Sequence, residues 1–343
     1  MIFGILAAEN DIHAEAVKRC LNARGADDVV EISPYSPIAF GDNFGFEANC
    51  DSFLSEVSCW YIRSVISPLP PAYITGSEYR LFDDWFISYM RNREKFSIQL
   101  AWLLDMQRQG VPMINPPENA QMMQLKPFQL SQAKKCGLTI PHTLITNEPV
   151  PVRAFFEEHD CCDIVYKPSM GGGLCRELTL QDIQRLDPKR HGPVTFQQRV
   201  RGLSVRATFV GDKLVSCVSI PSANLDYRND PEYYEGRLQY ENIELPRDII
   251  ENTVQLLGCC GLVYSGVDYI MTDRKEFVFL EANSSPIYMD IEEKTGCQIS
   301  DSIASLMIDL SNKPTTQDDL IKKKEATFVP YAHPYEPQHT EIF

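Results

Sequence analysis

The stretch at residues 264–286, YSGVDYIMTDRKEFVFLEANSSP, has the pattern of a β-hairpin in which two apolar runs are joined by a polar turn. Side chains alternate between the two faces of a strand, so Glu281 and Asn283 share a face. An even-numbered turn places Asp268 opposite Phe279, which brings its carboxylate to that face, one diagonal step from Glu281. Two carboxylates and an amide oxygen suit a hard cation such as Mg²⁺. The stretch therefore predicts a metal site on a sheet.

The predicted face also carries apolar neighbours. In this register it holds Gly266, Ile270, Phe277 and Phe279. Burying unpaired carboxylates among them would be costly, and a bound cation offsets that cost. A solvated sheet face is the alternative interpretation of the same pattern.

The bulk properties exclude several classes of protein. The 343 residues are 44% hydrophobic, which is enough for two or three packed units. A formal net charge of −15 predicts no nucleic-acid partner and no anionic membrane. The apolar N-terminus MIFGILAA lacks a preceding basic region, so it indicates a buried strand and not a secretory signal. Eleven cysteines without C-x-x-C spacing indicate reduced thiols, a cytoplasmic protein and no zinc motif.

The first third of the chain has an α/β pattern. Strands are predicted at 2–8 and 29–32 around a helix at 12–23, and no G-x-G-x-x-G turn follows the first strand. Apolar residues at helical spacing predict a helix between 78 and 109. The prolines of 112–117 end this pattern, and we expect a domain boundary there. A second helix is predicted over 121–136 and contains Lys126.

A candidate phosphate-binding element follows a buried strand at 163–167. The strand ends in Lys167 and is followed by Gly171, Gly172 and Gly173. Glycines let consecutive N–H groups turn toward an anion, and the lysine adds a charge for the same phosphate. The Walker A motif is absent from the sequence, and a plain flexible connection explains the glycines equally well.

Further downstream, Arg206 interrupts a strand that otherwise suits the core. A buried arginine requires a carboxylate or phosphate partner, so a structural ion pair and a substrate contact are both open. Residues 221–245 are polar and predict a functional or mobile loop. The tail from 311 is expected to be loosely attached.

The ordered set of these residues resembles the ATP-grasp ligases. The set comprises Lys126, Lys167 with its glycines, QQRV at 197–200, Arg206, Asp268 and EAN at 281–283. The E-x-N-x-S-P pattern at 281–286 is similar to the RimK-type branch. Segments at 115–117 (NPP), 137–147 (GLTIPHTLITN) and 225–228 (LDYR) are similar to the peptide maturases that crosslink graspetides of the microviridin kind. The resemblance covers about residues 91–310.

The resemblance implies an α/β (α+β) protein with an ATP-grasp fold, in which two α/β subdomains clasp ATP behind an N-terminal α/β domain. The implied domains are an N-terminal domain at 1–116, a central ATP-grasp subdomain with the glycine loop at 117–195, a C-terminal subdomain with the metal site and substrate loop at 196–312, and a flexible tail at 313–343.

The resemblance also implies a role for each site residue, with ATP and Mg²⁺ as cofactors, two ions being expected and Mn²⁺ an alternative. The implied phosphate ligands are Lys126, Lys167, Gly171, Gly172 and Gly173. The implied adenine and ribose contacts are Gln197, Gln198, Arg199, Val200 and Ser204, where Ser204 replaces a frequent acid. The implied metal ligands are Asp268, Glu281 and Asn283, and the implied catalytic residues are Arg206 and Arg228.

The implied reaction is ATP-dependent ligation of a carboxylate to an amine or hydroxyl through an acyl phosphate. A ribosomally made precursor peptide is the first expected substrate, giving an ester or amide crosslink, and a homodimer is expected. The alternatives are an amino-acid or short-peptide ligase of RimK type and an ATP-grasp small-molecule kinase. Ile287 replaces a frequent glycine, and the Gly-Gln-Trp continuation usual in graspetide enzymes is missing. These departures leave the acceptor open.

Overall fold

The computed structural model describes residues 1–36, 38–40, 46–48, 56–65, 85–159, 162–170, 175–222 and 224–312. The first elements are β1 (Ile2–Leu6), α1 (Ile12–Ala23), β2 (Asp28–Ile32), β3 (Ile38–Phe40), β4 (Phe46–Ala48), β5 (Val57–Ile62), α2 (Trp85–Arg108), β6 (Met113–Ile114), α3 (Pro117–Met122), α4 (Lys126–Lys135), β7 (Thr143–Thr146), α5 (Pro149–Glu158), β8 (Ile164–Pro168), β9 (Arg176–Glu177) and α6 (Leu180–Arg185). The remaining elements are β10 (Val194–Gln198), β11 (Leu203–Val210), β12 (Lys213–Ile220), α7 (Pro231–Tyr234), β13 (Glu241–Asn242), α8 (Arg247–Cys259), β14 (Tyr264–Met271), β15 (Phe277–Asn283), α9 (Met289–Thr295) and α10 (Ile299–Ser311).

The N-terminal sheet has the parallel order β2-β1-β5-β6, and the predicted opening of strand, helix and strand is present. One face packs against α1 and α10 around Phe3, Tyr61 and Met307, and the other face packs Trp60 against Trp102 of α2. Helix α10 therefore completes the core of the first sheet from the far end of the described chain. The domain boundaries at 116, 195 and 312 stay predictions.

Two antiparallel sheets follow and face each other across a cleft. The smaller sheet has the order β7-β10-β8-β9 and is covered by α5 and α6. The larger sheet has the order β13-β12-β11-β14-β15, and α4 and α8 pack on its outer face. The inner faces of both sheets line the cleft. No helix in the described ranges has the length and apolar character needed to cross a bilayer.

The hairpin β14–β15 exists, but its predicted register is wrong. Asp268 lies opposite Glu281, and Phe279 lies opposite Tyr269. The register shifts between these two pairs because Leu280 is an extra residue in β15, which makes a β-bulge. The bulge turns Glu281 toward the cleft and leaves Phe277 and Phe279 in the core, so the expectation that these aromatics share the acids' face is also wrong.

The single helix predicted over 121–136 is two helices, because α3 ends at Met122 and α4 begins at Lys126. Pro127 occupies the second position of α4, where its missing N–H costs no hydrogen bond. Lys126 is therefore the first residue of a helix instead of an interior one, and its backbone N–H donates to the Ser169 carbonyl at 3.0 Å. Within 221–245, the described residues include the short helix α7, the strand β13 and a 3₁₀ turn at Tyr227–Asn229. The tail at 313–343 lies outside the described residues.

Asn115, which follows β6, joins the N-terminal sheet to the hairpin. Its buried amide nitrogen donates to the Tyr264 and Ser284 carbonyls, both at 2.7 Å. Its amide oxygen accepts from the N–H groups of Val263 and Tyr264 at 2.9 and 3.0 Å. One side chain thus satisfies four backbone groups that flank the hairpin.

We expect Asn115→Ala to lower the free energy of unfolding by at least about 2 kcal/mol, because several buried backbone groups lose their partner. Urea unfolding followed by circular dichroism measures the change. Asn22→Ala is the matched control: Asn22 is exposed on α1, where alanine favours the helix, so its stability should stay equal or rise. Equal stability of Asn115→Ala and the parent chain would contradict the proposed junction.

Candidate functional site

The cleft between the two antiparallel sheets has a volume of about 360 Å³ and collects most of the predicted site residues. Those that line it are Lys126, Lys167, Gln197, Gln198, Arg199, Val200, Ser204, Arg206, Arg228, Asp268, Glu281 and Asn283. The predicted loop Gly171, Gly172 and Gly173 lies outside the described residues. Residues from separate parts of the sequence thus meet at one place.

Lys126 and Glu281 form an ion pair at the edge of the larger sheet, with Nζ and Oε2 3.1 Å apart. Gln129, one turn further along α4, sets their relative position. Its buried amide donates to the Ala282 carbonyl at 3.0 Å and accepts from the Ala282 N–H at 2.9 Å. Because β15 is an edge strand, this amide pairs with backbone groups that no neighbouring strand reaches. The first turn of α4 is therefore held in register with the acids.

Arg206 and Asp268 form a second, bidentate ion pair across the β11–β14 ladder. Arg206 Nε donates to Asp268 Oδ1 at 2.7 Å, and Nη2 donates to Oδ2 at 2.8 Å. The Asn283 amide nitrogen lies 3.1 Å from Asp268 Oδ2 and 3.4 Å from Glu281 Oε1. Of the two interpretations left open for Arg206, the structure shows the ion pair. Arg206 itself also lines the cleft, and a substrate contact stays a prediction.

The electrostatics of the two acids differ. Burial opposes the ionisation of Glu281, but Lys126 and Lys167 outweigh it and lower its pKa to about 2. Burial raises the pKa of Asp268 despite the opposing effect of Arg206. Burial also lowers the pKa of Lys167, against the attraction of Glu281. Glu281 is consequently ionised near neutral pH, paired with Lys126 and attracted by Lys167. An additional anion beside Lys167 would stabilise the charged form of this lysine.

The donor set fits a hard divalent cation. Two carboxylates converge with an amide that can turn its oxygen toward an ion, and Mg²⁺ prefers such oxygen ligands. The lysines beside them suit a phosphate group. The acids do not face bulk solvent, since their side chains are 13% and 20% exposed for Asp268 and Glu281. The solvated-face interpretation of this hairpin is therefore wrong.

The opposite wall is formed by the end of β10. The N–H of Gln198 donates to the His142 carbonyl at 2.9 Å, and that of Arg199 donates to the Asp163 carbonyl at 2.6 Å. The Gln197 side chain is buried and donates to Thr143 Oγ1 at 3.0 Å. The strand end is thus rigidly held, and Val200 follows it along the cleft.

Asp226 and Tyr227 belong to the site, although the sequence assigned neither of them a role. Asp226 accepts from Arg228 Nε and Nη2 at 2.9 and 2.7 Å and from the Cys175 N–H at 3.2 Å. Burial opposes its ionisation, yet Arg228 and the Cys175 N–H hold its pKa below the usual value. The Tyr227 hydroxyl accepts from Arg206 Nη2 at 2.9 Å. The LDYR segment at 225–228 contains both residues and was the available signal.

Gly266 makes room for the segment that follows the metal ligands. A Cβ at this position would lie 2.7 Å from Cβ of Pro286 and 3.5 Å from Cδ of Arg206. Pro286 therefore packs directly on the backbone of β14, beside the cleft.

Comparison with known proteins identifies the fold. Residues 131–286 match the family model described as the ATP-grasp domain. The chain therefore contains an ATP-grasp domain, and the predicted α/β ATP-grasp fold is confirmed. A D-alanine–D-alanine ligase from Francisella tularensis subsp. novicida (strain U112) is 28% identical over 157 residues, which cover 40% of this chain and 52% of that ligase. The chain thus spans about half the length of this curated relative.

Two enzymes whose structures contain bound precursors are similar to this chain over most of its length. The ATP-grasp ligase PsnB, complexed with a minimal precursor, has a TM-score of 0.76 and 25% identity and covers 91% of this chain and 99% of its own. A further structure of PsnB contains a minimal precursor, Mg and ADP. The macrocyclase MdnC from Microcystis aeruginosa MRC, bound with the precursor peptide MdnA, has a TM-score of 0.70 and covers 90% of this chain and 100% of its own. Its 21% identity supports the fold alone. The predicted resemblance to ATP-grasp ligases is confirmed, and one such ligase, PsnB, is complexed with a minimal precursor.

Proposed function

We propose that this chain is an ATP- and Mg²⁺-dependent ligase that joins a carboxylate to an amine or hydroxyl of a ribosomally made peptide, giving an ester or amide crosslink. The observation that carries the proposal is the convergence of Asp268, Glu281 and Asn283 with Lys126 and Arg206 on one wall of the cleft. An oxygen donor set for a cation and charged groups for a polyphosphate lie within one ATP-grasp cleft.

The metal ligands are assigned to the larger sheet, and the phosphate contacts to the start of α4, to β8 of the smaller sheet and to the glycines that follow β8. Asp268, Glu281 and Asn283 would hold the Mg²⁺ ions, with two ions proposed and Mn²⁺ as a substitute. Lys126 and Lys167 would contact the α- and β-phosphates, while Gly171, Gly172 and Gly173 would cover them. When bound, Mg-ATP supplies the phosphoryl group that activates the substrate carboxylate. The chain's own groups then align the reactants and neutralise charge instead of acting as a covalent nucleophile.

The nucleoside and the acceptor are assigned to the other residues of the cleft. The backbone from Gln197 to Val200 would meet the adenine, and Ser204 would face the ribose. Arg228, whose side chain is 36% exposed, would lie nearest the acceptor and its acyl phosphate. Arg206 is more deeply buried and binds Asp268, so its main effect would be on the metal site.

Two features support a peptide as the substrate. PsnB is similar over 91% of this chain and is complexed with a minimal precursor. The segment at 221–245 lines the cleft at Asp226, Tyr227, Arg228 and Tyr233, beside the proposed acceptor position. The similarity to D-alanine–D-alanine ligases supports a second candidate, a ligase of free amino acids or short peptides. A homodimer is part of the proposal.

The proposal is tested by incubating the chain with ATP, Mg²⁺ and peptides that contain Thr, Ser or Lys together with Asp or Glu. Loss of one water per crosslink, with release of ADP and phosphate, is the expected result in mass spectrometry. Condensation of free amino acids would favour the second candidate. Phosphate retained on the product would indicate a kinase instead.

We expect Glu281→Gln and Asp268→Asn each to lower ATP turnover by about 10²–10³-fold or more, because each removes a charge that holds the metal. Circular dichroism should show both variants folded. Glu276→Gln is the matched control, since Glu276 is exposed in the turn of the same hairpin and should keep full turnover. Unchanged ADP release from either cleft variant would refute the metal assignment.

Substitution of Arg206 and of Arg228 should affect different steps of the reaction. We expect Arg228→Ala to reduce product formation with ATP affinity retained, because its proposed contact is the acceptor. Arg206→Ala should instead raise the Mg²⁺ concentration needed for activity, because Asp268 loses its buried partner. Titrations of ATP and Mg²⁺ measure both effects. Arg190→Ala, at an 83% exposed side chain, is the control. An ATP-affinity loss in Arg228→Ala equal to that of Lys167→Ala would contradict this division.

A further inference from the structure

Two histidines and a glutamate meet on the smaller sheet, outside the residues that line the cleft. His142 precedes β7, Glu158 ends α5, and His159 follows as the residue that caps α5. One ligand atom from each of the three lies within 4.8 Å of the others. His142 and Glu158 are exposed and His159 is partly exposed, so an ion can reach the group from solvent.

The hydrogen bonds prepare the two imidazoles as ligands. His159 Nδ1 lies 2.8 Å from the Phe155 carbonyl, which can only accept, so this nitrogen carries the proton and Nε2 has the free lone pair. His159 Nε2 lies 3.1 Å from His142 Nδ1. In metal sites, a histidine usually binds the ion with one ring nitrogen and donates the N–H of the other to a carbonyl or carboxylate. The Phe155 carbonyl accepts such a bond here.

The distance between the two facing nitrogens matches a shared ion. Two nitrogens bound to one tetrahedral Zn²⁺ at about 2.0–2.1 Å lie roughly 3.3 Å apart. The observed 3.1 Å is therefore compatible with only small movement. Between neutral histidines one proton occupies this gap. An ion would replace it, with the His142 proton moving from Nδ1 to Nε2.

We propose that His142, Glu158 and His159 form a site for a transition-metal ion of the Zn²⁺ class, independent of the Mg²⁺ ligands. Imidazole nitrogens select Zn²⁺ and its neighbours over Mg²⁺, which prefers oxygen. The three side chains leave a fourth position for water. The ion links the end of α5 to the start of β7, and the His142 carbonyl accepts from Gln198 in β10. It therefore braces the strand end that forms one wall of the cleft.

The test titrates Zn²⁺ into the metal-stripped full chain in excess Mg²⁺ and measures the binding by calorimetry. We expect one Zn²⁺ per chain and a loss of affinity of at least about tenfold in His159→Gln and in His142→Gln. His191→Gln is the matched control, because this exposed histidine lies elsewhere on the same subdomain and should leave binding unchanged. Asp268→Asn should also bind Zn²⁺ as the parent chain does.

A second readout identifies the ligands and the folded state. Zn²⁺ should raise the Tm of the parent chain and of Asp268→Asn, but not that of His159→Gln. The Co²⁺-loaded chain should show a tetrahedral visible spectrum without thiolate charge-transfer bands. Absence of Zn²⁺ binding, equal affinity in His159→Gln, or a thiolate spectrum that places the ion on cysteines would each overturn the proposal.

Discussion

The candidate site depends on one extra residue in an edge strand. Phe279 lies in the core, so strict alternation would place Glu281 in the core as well. The bulge at Leu280 reverses the alternation and aligns Glu281 with Asp268 on the cleft face. Bulges at sheet edges commonly redirect a side chain in this way. The larger sheet can therefore have a continuous apolar outer face and a charged inner face built from the same hairpin.

Buried amides hold the bulged hairpin in place. Asn115 binds the backbone at the start of β14 and just after β15, and Gln129 binds the edge of β15 at Ala282. Each amide offers donors and an acceptor in a fixed plane, so it can pair with backbone as a neighbouring strand would. A slip of β15 by one residue would break the Gln129 pair and the Lys126 ion pair together. The uncharged amides of Asn115 and Gln129 thus fix the strand register that aligns the two acids.

The sequence predicted the features that depend on hydrophobic periodicity and on residue order. It missed those that depend on one extra residue in a strand or on contacts between segments separated in the chain. The period-two pattern located the hairpin and its acids, and the order of charged residues indicated one cleft. The bulge was missed because alternation alone cannot show an extra residue inside an apolar run. The break before Lys126 has a local signal in Pro127, since proline favours the first turn of a helix. The packing of α10 on the first sheet and the approach of His142 to His159 join distant segments, and neither leaves a local pattern.

The charge of the whole chain says little about the charge of its cleft. The chain has a formal charge of −15, which argues against partners that read a polyanionic surface. The described residues that line the cleft include five cations, Lys126, Lys167, Arg199, Arg206 and Arg228, and three anions, Asp226, Asp268 and Glu281, a formal balance of +2. Three of the cations are paired with these anions, and Arg199 is paired with Glu177 outside the lining, so their cost of burial is partly offset before any ligand arrives. Lys167 is the partly buried cation whose pKa is lowered by burial, and a triphosphate beside it would reverse that shift. An acidic protein can therefore hold a polyphosphate, because the local surplus of positive charge lies in a concave site of low dielectric, where it acts more strongly than the screened charge of the outer surface.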